Sequence, residues 1–180
     1  MQNRSHAAQK ITAFGGHPVN PGSTTTTIQS RASVDSGKKW SAPEQLYAGA
    51  ADNPTSPGFY LLADPVGQVH LAWEAKNQIF YRRWNAANGL GASVALSSDT
   101  LTSSLVLAVS KDGSARAIWN EFGGSTEQVV RRVQTASGKW TAAHTISPTR
   151  GYELALAVDA AGASHMAWHA GNSVFYLALP

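Results

Sequence analysis

Cysteine is missing from all 180 residues, which excludes disulfides, thiolate nucleophiles and cysteine-ligated zinc together and leaves the redox compartment open. Charge is sparse as well: 14% of residues are charged and the formal net charge is +3. That is not the composition of a disordered acidic or basic chain. Although the sequence pI is about 9.3, the positive charge is spread along the chain, so no nucleic-acid partner is expected. No apolar run approaches the roughly 20 residues of a membrane-spanning helix, so no membrane insertion is expected. Met1 to Lys10 are polar and show no secretory signal. Helical stripes with caps, Gly-rich phosphate loops, a Ser-His-Asp order and a His-Glu-x-x-His motif are all lacking. No cofactor or metal is expected. His165 and His169 are four apart on a segment that reads as strand and turn, about 13 Å in extended chain, too far to share an ion.

What is present is a repeat. Gly67-Gln-Val-His-Leu-Ala-Trp73, Gly113-Ser-Ala-Arg-Ala-Ile-Trp119 and Gly162-Ala-Ser-His-Met-Ala-Trp168 superimpose, with Asp64, Ser110 or Asp159 three places before each Gly. A second series interleaves with it. Trp40, Leu90 and Trp140 are each followed at +6 by an aliphatic residue, Leu46, Leu96 or Ile146. Two series of nearly equal period mark an array of similar units.

One unit reads as four short antiparallel strands. Phe59–Ala63 is an apolar run of the kind buried on both faces, Asp64-Pro-Val-Gly67 is a turn, and Gln68–Trp73 returns. Ile79–Trp84 makes a third strand and Leu90–Leu96 a fourth. Further third strands are read at Ile28–Ala32, Val129–Val133 and Val174–Ala178, and further fourth strands near Trp40 and Trp140. Four strands in about 45 residues, recurring, is the arithmetic of a β-propeller blade. A β-sandwich also has short strands, yet has no reason to repeat Gly-x5-Trp.

The expected fold is therefore all-β, a propeller of about three to four blades of four-stranded antiparallel sheet. Residues 1–24 are left poorly defined. The stretch 25–180 divides into an outer half blade at about 25–48 and blades at about 57–96, 103–146 and 152–180. A closed ring takes roughly four to eight blades. Three explanations meet that count: the chain is a piece of a longer protein, a second copy completes the ring, or Ile11 to Pro21 supply inner strands. A homo-oligomer or the remainder of a longer chain is thus among the expected partners.

Ser33-Val-Asp35-Ser-Gly37-Lys-Lys-Trp40 reads S-x-D-x-G-x-x-W. It resembles the Asp box, the bacterial neuraminidase repeat of sialidase-like propellers. Thr135 to Trp140 is a shortened likeness that keeps Gly138 and Trp140 but lacks the Asp. The resemblance spans roughly Ile28 to Leu179. As a folding device, Asp35 accepts hydrogen bonds from turn amides, Gly37 permits a left-handed backbone, and Trp40 is expected to plug the space between sheets. The resemblance implies a turn on the outer rim, away from the substrate pocket. It also suggests an extracellular setting.

A sialidase of that family implies three arginines on the sugar carboxylate, a Tyr nucleophile paired with Glu, and an Asp acid/base. The Arg-Ile-Pro signature that usually carries the first arginine does not occur here. Arg150, Tyr152 and Glu153 supply suitable residue types at the start of an inner strand, but neighbours on a strand point to opposite faces. The pairs Arg82-Arg83 and Arg131-Arg132 are expected to place one member each along an interface, with a packed stem. Trp73, Trp119 and Trp168 end successive second strands. With open faces they are stacking platforms for sugars; with closed faces they are plugs between sheets. The resulting expectation is a recognition scaffold with a glycan as partner and no chemistry of its own. The alternatives are a fragment of an exo-α-sialidase-type glycoside hydrolase, and an interaction module of a surface protein.

Overall fold

A computed structural model describes residues 10–16, 25–33, 35, 37–50, 59–75, 77–85, 87–98, 100–123, 125–135 and 137–180. All regular structure among them is β-strand. The chain divides into two compact units, Met1–Asp52 and Asn53–Pro180.

In the first unit, β1 (Lys10–Gly16), β2 (Thr25–Ser33) and β3 (Glu44–Ala50) form an antiparallel meander. β1 falls in the stretch 1–24, whose other residues lie outside the described ones, as do 51–58 and with them the start of the 57–96 unit. The Ser-x-Asp-x-Gly-x-x-Trp segment links β2 to β3. Ser33 is buried; its hydroxyl donates to Asp35 Oδ1 at 2.9 Å and accepts from the Gly37 amide at 2.7 Å. Asp35 Oδ1 also accepts from the Lys39 amide at 2.8 Å, the main reason its carboxyl is held below the usual range. Gly37 has φ of 88°. Trp40 departs from expectation. It is 36% exposed and lies over its own turn, Cζ2 being 3.7 Å from where a Gly37 Cβ would sit, so its ring is not sealed between sheets.

The second unit contains three sheets. Sheet I comprises β4 (Phe59–Ala63), β5 (Val69–Ala75), β6 (Gln78–Asn85) and two short pieces, β7 (Gly89–Leu90) and β8 (Val94–Ala95), both paired with β6. The single fourth strand read at Leu90–Leu96 is thus broken, at Gly91, whose amide bonds the Arg83 carbonyl at 2.8 Å. Sheet II runs β12-β11-β10-β9, from β9 (Leu101–Val109), β10 (Ala115–Gly123), β11 (Thr126–Val133) and β12 (His144–Ser147). Sheet III is β13 (Tyr152–Val158), β14 (Ser164–Ala170) and β15 (Ser173–Leu179). Every strand pair in them is antiparallel.

These sheets pack face to face in chain order. Ala72, Ile79 and Tyr81 of sheet I meet Leu105, Leu107, Ala117, Trp119 and Val130 of sheet II. Ile118, on the other face of β10, meets Met166 and Trp168 of sheet III. Sheet II is covered on both sides, which a two-layer sandwich does not require. This is why β10 reads Ala-Arg-Ala-Ile-Trp-Asn-Glu without polar alternation: all seven residues are buried. Full burial on both faces was expected of the first strand, yet β4 is half-buried and β10 is sealed. The first strand is a sheet edge with one neighbour, whereas the second is flanked on both sides.

The first hairpins of sheets I and III close the same way, and that of sheet II, with Ser110 in place of Asp, keeps the backbone bonds. Asp64 Oδ1 accepts from the Val66 and Gln68 amides at 3.0 and 2.8 Å, and the Gly67 amide returns to the Asp64 carbonyl at 3.1 Å. Gly67 and Gly113 have φ of 83° and 79°. Their surroundings differ. A Cβ on Gly113 would stand 2.8 Å from Asp64 Oδ2, while a Cβ on Gly67 meets nothing within 4 Å. Both substitutions to Ala carry the left-handed backbone cost of about 1–2 kcal/mol. Gly113→Ala should lose on the order of 1–2 kcal/mol more, because it also pries sheets I and II apart. Urea unfolding of the two variants reads this difference, and equal losses would refute the close approach.

Candidate functional site

The tryptophans read as ending the second strands lie within them and take the closed alternative. Trp73, Trp119 and Trp168 are 1%, 0% and 6% exposed. Trp119 packs in the cluster between sheets I and II, and Trp168 in that between II and III. Trp73 stacks on Phe80, and Trp168 on Phe175, with ring centroids 5.7 Å apart in both. Their faces contribute to the core and offer no open platform.

Three residues after each repeat Gly, the side chain faces the opposite way. In sheet I this is His70, whose ring bridges Tyr81 and Asp64 at 2.7 and 3.5 Å with no exposure of the His or Asp side chain. An ionised carboxylate only accepts, so Nε2 carries the proton toward Asp64 and Nδ1 accepts from the Tyr81 hydroxyl. Sheet III repeats the arrangement with Asp159, His165 and Tyr176, at 3.1 and 2.6 Å, in the open. Sheet II has Ser110, Arg116 and, across the hairpin, Arg131 at the matching places. Arg116 donates to Ser164 Oγ and the Gly162 carbonyl, at 3.1 and 2.7 Å, and Arg131 to the Pro180 carbonyl at 2.9 Å. The histidines bond within their own sheets, whereas the arginines at this position in sheet II reach across to sheet III. The Tyr partners escaped sequence reasoning, although the spacing Asp-x5-His-x10-Tyr occurs twice.

Arg150 and Tyr152 come together, with a partner that sequence reading missed. The Arg150 guanidinium carbon lies 5.1 Å from the Phe122 ring centroid and 4.7 Å from that of Tyr152, a cation held by two aromatic rings. Asn120 fixes the neighbouring backbone, donating to the Gly151 carbonyl at 2.7 Å and accepting from its amide at 3.0 Å. Arg150 Nε is buried with no hydrogen-bond partner, as is Ser103 Oγ on the adjoining strand. Tyr152 is 49% exposed. Simple alternation does not hold at Glu153: its φ is 52°, at a register shift between Tyr152 and Ala155. Ser104 has φ of 58° at the corresponding shift in sheet II. The corresponding residue before β4 is Gly58, outside the described residues.

The arginine pairs do more than expected. Arg131 reaches sheet III, while Arg132 donates to the Thr141 carbonyl at 2.6 Å and the Leu96 carbonyl at 2.8 Å, so both members of the pair are engaged. Arg82 makes the bond equivalent to that of Arg132, to the Gly91 carbonyl at 2.8 Å. Between the third strands of sheets I and II, Tyr81, Arg83, Asn88, Gln134 and Trp140 line a groove of about 310 Å³. Among the described residues no group of three or more His, Asp or Glu is arranged to hold a metal ion.

No family model matches the chain, and no curated protein matches it in sequence. Among solved structures it is similar to the endo-arabinase from Bacteroides thetaiotaomicron VPI-5482, at 17% identity and a TM-score of 0.42, over 87% of this chain and 71% of that one.

Burial holds the His70 ring below its ordinary pKa, against the opposing pull of Asp64. The unfolded chain takes up a proton near pH 6.5 that the folded ring refuses, so stability falls as pH drops below that value. The lowered carboxyls act later. Asp112, bonded by the Ser110 and Ser114 hydroxyls and the Ser114 amide, is brought down to about 2, and its contribution is lost only as pH falls below about 3.8. Unfolding free energy followed by urea titration should decline between about pH 6.5 and 5. In His70→Gln that slope should flatten. An unchanged slope would mean that another group supplies it.

Proposed function

We propose that this chain is a segment of a sialidase-like, Asp-box β-propeller that serves as a recognition scaffold for glycans and carries no chemistry of its own. Three sheets stacked in chain order, each with a Trp packed inside and a glycine turn, support the propeller reading. The hydrogen bonds of Ser33, Asp35 and Gly37 support the Asp-box reading. The observation that carries the recognition reading is the Arg150 stack at the start of β13. A half-exposed aromatic ring beside a cation suits a sugar with an acidic group: the ring packs on C–H faces and the guanidinium pairs with a carboxylate.

The surroundings of Tyr152 speak against catalysis. A glycosidase of this type needs a Tyr paired with a carboxylate. Among the described residues no carboxylate is hydrogen-bonded to Tyr152, which stacks on Arg150. The Asp-His-Tyr chain stands at the same register in sheets I and III, and in sheet I it is sealed from any substrate, as a structural element would be.

A glycan array probed with the intact chain tests the reading. Glycans ending in acidic sugars should bind, and Arg150→Ala and Tyr152→Ala should each weaken binding by about tenfold or more. Near-native melting of both variants would show that the loss is local. Silence on the array would favour an interaction module. Binding kept in both variants but lost in Trp140→Ala would move the site to the groove that Trp140 lines and overturn the assignment. Hydrolysis of a fluorogenic sialoside would overturn the denial of chemistry.

A further inference from the structure

The groove between the third strands of sheets I and II holds a charge that the repeat does not explain. Arg83 stands opposite His70 on β6, and the residues at the same register in sheets II and III are Val133, opposite Arg116, and Ala178, opposite His165. Two of the three sheets thus pack with a small apolar side chain at this place. The other arginines of these strands are engaged. Arg82 and Arg132 hold main-chain carbonyls, and Arg131 reaches that of Pro180. Arg83, half-buried, makes no hydrogen bond or ion pair with any described residue. A guanidinium that has given up part of its hydration without gaining an acceptor is short of a partner.

The surroundings of Arg83 are of one sign. Among the described residues it is the one charged group that lines the groove, and no carboxylate does. Asn88 adds an exposed amide, and Trp140 and Val94 supply apolar surface. The walls are fixed from behind. Trp140 meets Tyr81 edge-on at 5.0 Å, Tyr81 is buried and bonded to His70, and Gln134, 5% exposed, holds the Gly138 carbonyl at 2.9 Å. A residue that breaks the pattern of its repeat in a preformed hollow is where function is expected to have overruled packing.

We propose that this groove is a second ligand site, one that takes a small organic anion: a carboxylate or phosphate group pairs with the Arg83 guanidinium, and the apolar body of the molecule lies against Trp140 and Val94. The guanidinium presents its N–H donors as a rigid fork that matches two oxygens of either group. The volume of about 310 Å³ stands at the lower end of small-molecule pockets, which suits a small free molecule. The groove shares no residue with the Arg150 stack. Silence of the glycan array therefore leaves this site standing, and its own failure leaves the glycan reading untouched.

Titration of the intact chain with benzoate and, separately, with phenyl phosphate, followed by ¹H–¹⁵N NMR, tests it. The amides of Gly89, Gly91 and Gly138, which line the groove, should shift saturably with at least one of the two anions, and the arm that responds tells carboxylate from phosphate. Gly151, beside Arg150, should not follow. Arg83→Val installs the residue that sheet II carries at this register, so melting should be unchanged while affinity falls at least about tenfold. Arg83→Gln, which keeps a polar stem without the charge, should lose as much. Neutral benzyl alcohol should leave the three glycines in place. No saturable shift with either anion overturns the proposal. So do shifts confined to Gly151, an equal response to benzyl alcohol, or unchanged affinity in either Arg83 variant.

Discussion

The distance between neighbouring sheets governs the second unit, and one bulky and one absent side chain set it. Trp119 fills the gap from the middle of β10, while in the turn before that strand Gly113 approaches the Asp64 carboxylate where a Cβ would clash. A large ring and a missing methyl group, six residues apart in sequence, set how closely the two sheets meet. Ala115 and Ala117, between them on the same face, leave room for Leu105 and Leu107 to pack there too. The equivalent positions on the second strands differ more. Sheet I places there a His bonded to Tyr and Asp of its own sheet, and sheet II a pair of arginines that reach sheet III.

Much of this was legible in the chain because Gly and Trp are the residues least replaceable at such places. Their recurrence located the hairpins and the second strands, and β4 was read to the residue. What escaped reading depends on contacts across strands. Tyr81 and Tyr176 are eleven residues from their histidines and meet them through hairpin register. The backbone shifts at Ser104 and Glu153 leave no mark in hydrophobic alternation, since a bulge changes the count on one strand alone. Trp40 and Trp140 illustrate the limit best. They stand in look-alike segments, Lys39-Trp40-Ser41-Ala42 and Lys139-Trp140-Thr141-Ala142, yet Trp140 packs edge-on against Tyr81 at 5.0 Å while Trp40 rests on its own turn.

The candidate site shows the same division. Arg150 and Tyr152 were visible as residue types at a strand start, but Phe122, the second ring around the guanidinium, comes from the far end of another strand. Positive φ at Ser104 and Glu153 stores strain at that end of the sheets. A scaffold that keeps its regular packing inside and its irregular backbone at the strand starts can change what it recognises without repacking its core.

The arginines on the third strands have a consequence for how firmly the outer strands are held. Arg82 and Arg132 each grip a main-chain carbonyl at the beginning of the outer segment, at 2.8 and 2.6 Å. The acceptor is a neutral dipole present at every residue, so this grip needs no acidic partner. Protonating carboxylates does not release it, and dissolved salt screens it far less than it would an ion pair at the surface. The segments after the third strands are therefore fastened through backbone that neither acid nor salt readily loosens, while Leu96 and Trp140 anchor them by their side chains.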